Sequence, residues 1–154
     1  MNQKHVPLHG FGIRLAAPHR WLVCFVLSLV ALSGLLLTVL HDILLWTPGS
    51  LERWTLIVHG GVSFCVLILF GSLLPAHVRL GWKTRRHLVS GCGALSILTT
   101  LILTAFFLYY GGESSRELMK WSHVAIGVLG MALLPGHIYM GNQSRRNQKN
   151  APFK

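Results

Sequence analysis

The stretch LLPAHVRLGWKTRR at residues 73–86 recurs in altered form as LLPGHIYMGNQSRR at residues 133–146. Each copy starts in apolar sequence, ends in a pair of arginines and places a histidine two residues after a proline. An ionisable side chain within or at the edge of a membrane segment is costly, and such residues are usually functional. His77 and His137 are therefore the first residues to explain.

The composition indicates a membrane protein. Of 154 residues, 52% are apolar and only 12% are charged, so a soluble domain would be short of polar surface. Four apolar runs have about the 20 residues that a helix needs to cross the hydrocarbon core. These runs cover residues 21–40, 54–76, 88–110 and 121–139. Because backbone groups in lipid must satisfy their own hydrogen bonds, the sequence predicts a single all-α membrane domain with four transmembrane helices.

The distribution of charge predicts the orientation of these helices. The net charge is +10, and 11 of the 14 lysines and arginines precede run one, separate runs two and three, or follow run four. All four acidic residues lie at the opposite ends of the runs. The positive-inside rule then makes residues 1–18 and 143–154 cytoplasmic tails of a multi-pass protein, and we expect a bacterial inner membrane. Topology accounts for the positive charge, so no nucleic-acid partner is expected.

A weak internal repeat predicts how the helices are arranged. LERW at residues 51–54 precedes run two, and LMKW at residues 118–121 precedes run four. HRWLV at residues 19–23 similarly corresponds to RHLVS at residues 86–90. Short connections make consecutive helices antiparallel. The predicted fold is a four-helix transmembrane bundle built from two tandem hairpin repeats, related by an axis along the membrane normal.

The histidine spacing suggests two paired sites. His123 and His137 are 14 residues apart, which leaves them about 40° out of line and roughly 21 Å apart on an α-helix. His59 and His77 are 18 residues apart and return to the same helix face, roughly 27 Å apart. Runs two and four point in the same direction, so His59 is expected to meet His123 near the outer surface and His77 to meet His137 near the inner surface. Two such pairs supply the axial ligands of two b-type haems, since each iron takes one imidazole from either side.

Three segments resemble small four-helix integral-membrane b-type cytochromes, among them the cytochrome b subunits of formate dehydrogenases and hydrogenases. HVAIGVLGMALLPGH at residues 123–137 is similar to their last span, and HVRLGWK at residues 77–83 is similar to the tail after their second ligand. PHRWLVCFVLSLVALSGLLL at residues 18–37 resembles their first span. The resemblance implies two haem b groups with iron-binding histidines. It departs in run two, where the spacing usual in the family falls on Ser63 and leaves His59 as the outer partner of His123.

The inner partner of His137 is open on the sequence. The repeat favours His77, whereas the resemblance favours His19, because a first-span histidine completes the inner site in that family. If His77 is level with His137, straight helices would place His59 about 6 Å further out than His123. A tilt of the helix or a kink at Pro75 would absorb part of this offset.

The functional prediction is a di-haem membrane electron carrier. It would serve as a subunit of a larger complex of a respiratory chain, in contact with membrane lipid, quinone and other redox subunits. The sequence has no flavin or nicotinamide fingerprint and no nucleophile constellation, so any enzyme activity would be the quinone oxidoreductase activity of that complex. Two other classes stay open: a small proton or metal-ion transporter that uses the same histidines, and a haem-free membrane anchor.

Overall fold

The computed structural model describes residues 17–44, 49–85 and 87–149. Most of the tail predicted over residues 1–18, Arg86 and the last five residues of the chain lie outside these ranges. The described residues contain no β-strand and form long helices joined by short connections. The predicted all-α architecture is therefore confirmed.

Five α-helices and two π-helical turns follow one another along the chain. The helices are α1 (Ala17–Thr38), α2 (Ser50–Leu73), α3 (Arg79–Thr84), α4 (Leu88–Tyr110) and α5 (Glu113–Lys149). The first π turn (Val39–Ile43) extends α1, and the second π turn (Leu74–Val78) joins α2 to α3. Four stretches are long and apolar enough to cross a membrane: Ala17–Ile43, Ser50–Leu73, Leu88–Tyr110 and Glu113–Ser144. The chain thus has the helices of a multi-pass membrane protein, as predicted.

Helix packing follows the predicted hairpins. Helix α1 packs mainly against α2, helix α4 packs mainly against α5, and a smaller contact joins α1 to α5. A methyl group added at Gly130 on α5 would lie 3.1 Å from Ile97 Cγ2 on α4, so the second hairpin depends on this small residue for its close packing. Most large apolar side chains face outward, as expected where the surroundings are lipid rather than water.

The end of the bundle that was predicted to be outer carries polar contacts within and between the hairpins. His41 contacts Glu52 at 2.9 Å and links the two helices of the first hairpin. Lys120 on α5 contacts Asp42 in the first π turn at 3.1 Å, which links the two hairpins. The apolar run was predicted to end at residue 40, but the helix continues to Ile43 and brings Asp42 to this position.

Candidate functional site

The outer pair of histidines meets across the seam between the two hairpins. His59 on α2 and His123 on α5 are both half-buried. Their ring centroids are 6.3 Å apart and their planes are perpendicular, at 90°. The two rings that were predicted to face each other in the outer half are thus neighbours in the structure.

The inner pair has nearly the same geometry. His77 lies in the second π turn and His137 lies in α5, with ring centroids 6.1 Å apart and an interplanar angle of 87°. The π turn is what sequence reasoning missed. Its hydrogen bonds run from residue i to residue i+5, so it holds more residues per turn than an α-helix and changes the direction in which His77 points. Pro75, at the start of this turn, was the available signal for a break in the helix.

His19 occupies a different place from the inner pair. Its Nε2 atom lies 3.4 Å from the hydroxyl of Ser72 on α2, so the contact of His19 is made within the first hairpin. The structure therefore brings His77 opposite His137 and joins His19 to Ser72. The ligand roles assigned to His59, His123, His77, His137 and His19 stay predictions, because spatial proximity does not test iron binding.

Hydroxyl groups on α1 and α4 contact the paired rings through the Nδ1 atom. Ser33 Oγ lies 3.1 Å from Nδ1 of His59, which also donates to the Val30 carbonyl oxygen at 3.1 Å. Thr104 Oγ1 lies 2.8 Å from Nδ1 of His123. Ser90 Oγ lies 3.0 Å from Nδ1 of His137. Sequence reasoning missed these hydroxyls, although polar residues inside apolar runs were visible as a signal.

Two glycines on the neighbouring helices lie close to the rings. A Cβ atom at Gly34 on α1 would lie 2.9 Å from Cε1 of His59, which is closer than real Cβ contacts. A Cβ atom at Gly91 on α4 would lie 3.7 Å from Cε1 of His137, which is an ordinary contact. The rings therefore press on glycines of the partner helices in their own hairpins, and Gly34 leaves no room for a side chain.

The distance between paired rings suits two ligands of one metal ion. Metal–imidazole nitrogen bonds are about 2 Å long, and a ring centroid lies about 1 Å behind its nitrogen, so ligands on opposite sides of an ion have centroids about 6 Å apart. The observed separations are 6.3 Å and 6.1 Å. Two imidazoles that share an axis through the metal have no required angle between their planes, so perpendicular rings fit such a site.

Each pair brings two ligands, which is the number that a haem iron takes from protein when both axial positions are filled. Within the described ranges, no group of three or more histidine, cysteine, aspartate or glutamate side chains is placed to hold a metal ion. Two imidazoles at this separation match the two axial positions of a haem iron in number and distance. No protein-family model, curated protein or solved structure matches this chain.

Proposed function

We propose that the chain is a di-haem b-type cytochrome that carries electrons across a membrane. His59 and His123 would hold the outer haem, and His77 and His137 would hold the inner haem. The single observation that carries the proposal is the repeated separation of about 6 Å between perpendicular imidazole rings at two levels of the bundle. When bound, haem iron supplies reversible one-electron chemistry.

The placement of the two pairs suits transfer between the leaflets. His123 and His137 lie on the same helix about 21 Å apart along its axis, at 1.5 Å per residue. The excess of basic residues near His77 and His137 supports a cytoplasmic location for that end, and we propose that the other end lies on the outer side of a bacterial inner membrane. We propose that the chain exchanges electrons between the quinone pool and a protein partner, as one subunit of a larger redox complex.

The protein contributes the geometry of the carrier. Each pair takes one histidine from each hairpin, so assembly of the two hairpins brings the two ligands of each site together. Contacts between hydroxyl groups and Nδ1 orient the rings of His59, His137 and His123, which would lower the cost of binding an ion between paired rings. The four paired histidines are half-buried within the chain, so lipid or partner subunits would complete the apolar surroundings of the haems.

A haem assay on the purified full chain tests the proposal. We expect a red protein with reducible b-type absorption bands and about two haems per chain by the pyridine haemochrome method. His123→Ala should lower the ratio to about one, because one axial ligand is lost. His41→Ala is the matched control, since His41 is exposed and contacts Glu52, and it should retain both haems.

A ratio near zero in the wild-type chain would refute the proposal. A colourless protein that moves protons or metal ions across vesicles would instead support a transporter, and a colourless protein without transport would support an anchor. A ratio near one would show that one of the two histidine pairs does not bind haem.

A further inference from the structure

Each hydroxyl beside a paired histidine also has a backbone carbonyl within reach that can accept its proton. The Val30 carbonyl lies 3.1 Å from the Ser33 hydroxyl, and the Thr100 carbonyl lies 2.8 Å from that of Thr104. The His87 carbonyl lies 3.2 Å from the Ser90 hydroxyl. A hydroxyl has one proton and two lone pairs, so an oxygen that donates to the carbonyl faces its histidine as a hydrogen-bond acceptor.

This arrangement favours one tautomer of each imidazole. Nδ1 of His59 faces the carbonyl oxygen of Val30, which has no proton to give, so this nitrogen carries the proton in a neutral ring. For His123 and His137 the same tautomer follows when the neighbouring hydroxyl gives its proton to the backbone carbonyl. In a neutral imidazole the other nitrogen, Nε2, then carries the lone pair with which a metal is bound.

His19 presents its other ring nitrogen to a hydroxyl. The Leu69 carbonyl lies 2.7 Å from the Ser72 hydroxyl and can accept its proton, and the Ser72 oxygen lies 3.4 Å from Nε2 of His19. This contact favours the proton of a neutral His19 on Nε2, whereas the contacts of His59, His123 and His137 favour it on Nδ1.

Burial raises the energetic cost of losing the hydrogen bonds at these hydroxyl groups. Ser33 and Thr104 are each only 7% exposed, and they are two of the few buried polar residues in the described ranges. A buried donor or acceptor that lacks a partner costs about 1–3 kcal/mol, so an imidazole in the wrong tautomer would be penalised here. The hydroxyl oxygens are thus placed where they select one protonation pattern of the ring.

We propose that Ser33, Thr104 and Ser90 are positioning residues that present Nε2 of His59, His123 and His137 as ready-made metal ligands. The role in metal binding rests on the proposed haem function, whereas the tautomers do not. In the loaded protein, each hydroxyl accepts a hydrogen bond from a bound imidazole. This makes the ring a stronger electron donor and stabilises the oxidised iron.

The first experiment is a redox titration of the full chain with its haems. Thr104→Val keeps the shape of the side chain but removes the acceptor, so we expect the reduced form of one haem to gain about tenfold in stability relative to the oxidised form. This corresponds to a rise in midpoint potential of about 59 mV for a one-electron couple, with the other haem unchanged. Thr104→Ser keeps the acceptor and should restore the wild-type potential.

Thr100→Val is the matched control on the same helix. The Thr100 hydroxyl contacts the Ser96 carbonyl rather than a histidine, so neither potential should move. Unchanged potentials in Thr104→Val, or an equal shift in Thr100→Val, would overturn the positioning role.

The second experiment separates failure of this inference from failure of the proposed function. If the chain purifies without haem, nitrogen-15 NMR of the histidine rings should still find the proton on Nδ1 of His59, His123 and His137, and on Nε2 of His19. The missing haem would then refute the cytochrome proposal, and the observed tautomers would support the effect of the hydroxyls on the rings. Protonated Nε2 in His59 and His123 would overturn the inference itself.

Discussion

Replacement of Gly34 by alanine should selectively damage the outer site. The new Cβ atom would lie 2.9 Å from Cε1, 3.3 Å from Nδ1 and 3.7 Å from Nε2 of His59. Ordinary contact begins at 3.4 Å, so the ring must retreat by about half an ångström from its place between Ser33 and His123. That movement would displace Nε2 of His59 relative to His123, with which it is proposed to share a metal ion.

The size of the effect follows from two opposing terms. Overpacking of a fitted contact costs about 1–3 kcal/mol, while alanine in place of glycine inside a helix regains about 1 kcal/mol. The chain itself should therefore lose no more than about 2 kcal/mol and should still fold. The proposed outer haem would carry the full effect of the displaced ring, and we expect it to bind about tenfold to a hundredfold more weakly.

The assay combines haem content, redox titration and thermal unfolding of the purified chain. Gly34→Ala should lose the outer haem first on dilution or competition with an apo-globin, while the inner haem keeps its potential. Gly61→Ala is the matched control, because a Cβ atom there meets nothing within 4 Å, and it should be neutral or slightly stabilising. Gly91→Ala, with its 3.7 Å contact to His137, should retain the inner haem.

Two results would refute this reasoning. One is a Gly34→Ala protein that keeps both haems at wild-type affinity and potential. The other is equal loss of haem from Gly34→Ala and Gly61→Ala, which would show a general effect of the substitution on the helices. Either result would mean that the close approach of Gly34 to His59 does not position the ring.

Three further predictions concern topology, the inner ligand and the contact between hairpins. A cysteine placed at Glu113 should react with an impermeant label from outside intact cells, because the charge distribution predicts that this connection lies on the outer side. Reaction only after permeabilisation would show that the predicted orientation is wrong. His77→Ala should remove the inner haem and leave the midpoint potential of the outer haem nearly unchanged, whereas His19→Ala should keep both haems. The opposite pattern in a haemochrome assay would assign the inner ligand to His19. A double-mutant cycle with Asp42→Asn and Lys120→Met should give a coupling energy of up to about 1 kcal/mol in thermal or denaturant unfolding. A value near zero would show that this ion pair does not stabilise the contact between the hairpins.

The amino-acid sequence by itself determined the elements and their order. Apolar runs of membrane-crossing length leave the backbone little choice but a helix, because lipid offers no hydrogen-bond partners. Short connections then fix two hairpins, and the helical repeat fixes that His123 and His137 share a face. These are local properties of the chain, which is why periodicity and composition were sufficient to predict them. The α-helical repeat does not extend to His77, because this residue lies in a π turn.

The tertiary structure decided which side chains meet. The motif LLP-x-H occurs twice, yet α5 remains helical through Pro135 while the chain changes to a π turn around Pro75. Thr104 contacts His123 and Gly34 lies close to His59 only because α4 and α1 have particular rotations about their own axes. In lipid, apolar side chains gain little from facing a neighbouring helix rather than the membrane, so rotation about a helix axis is set by small residues and polar contacts between helices. Those contacts join residues distant in sequence, and no local pattern could have specified them.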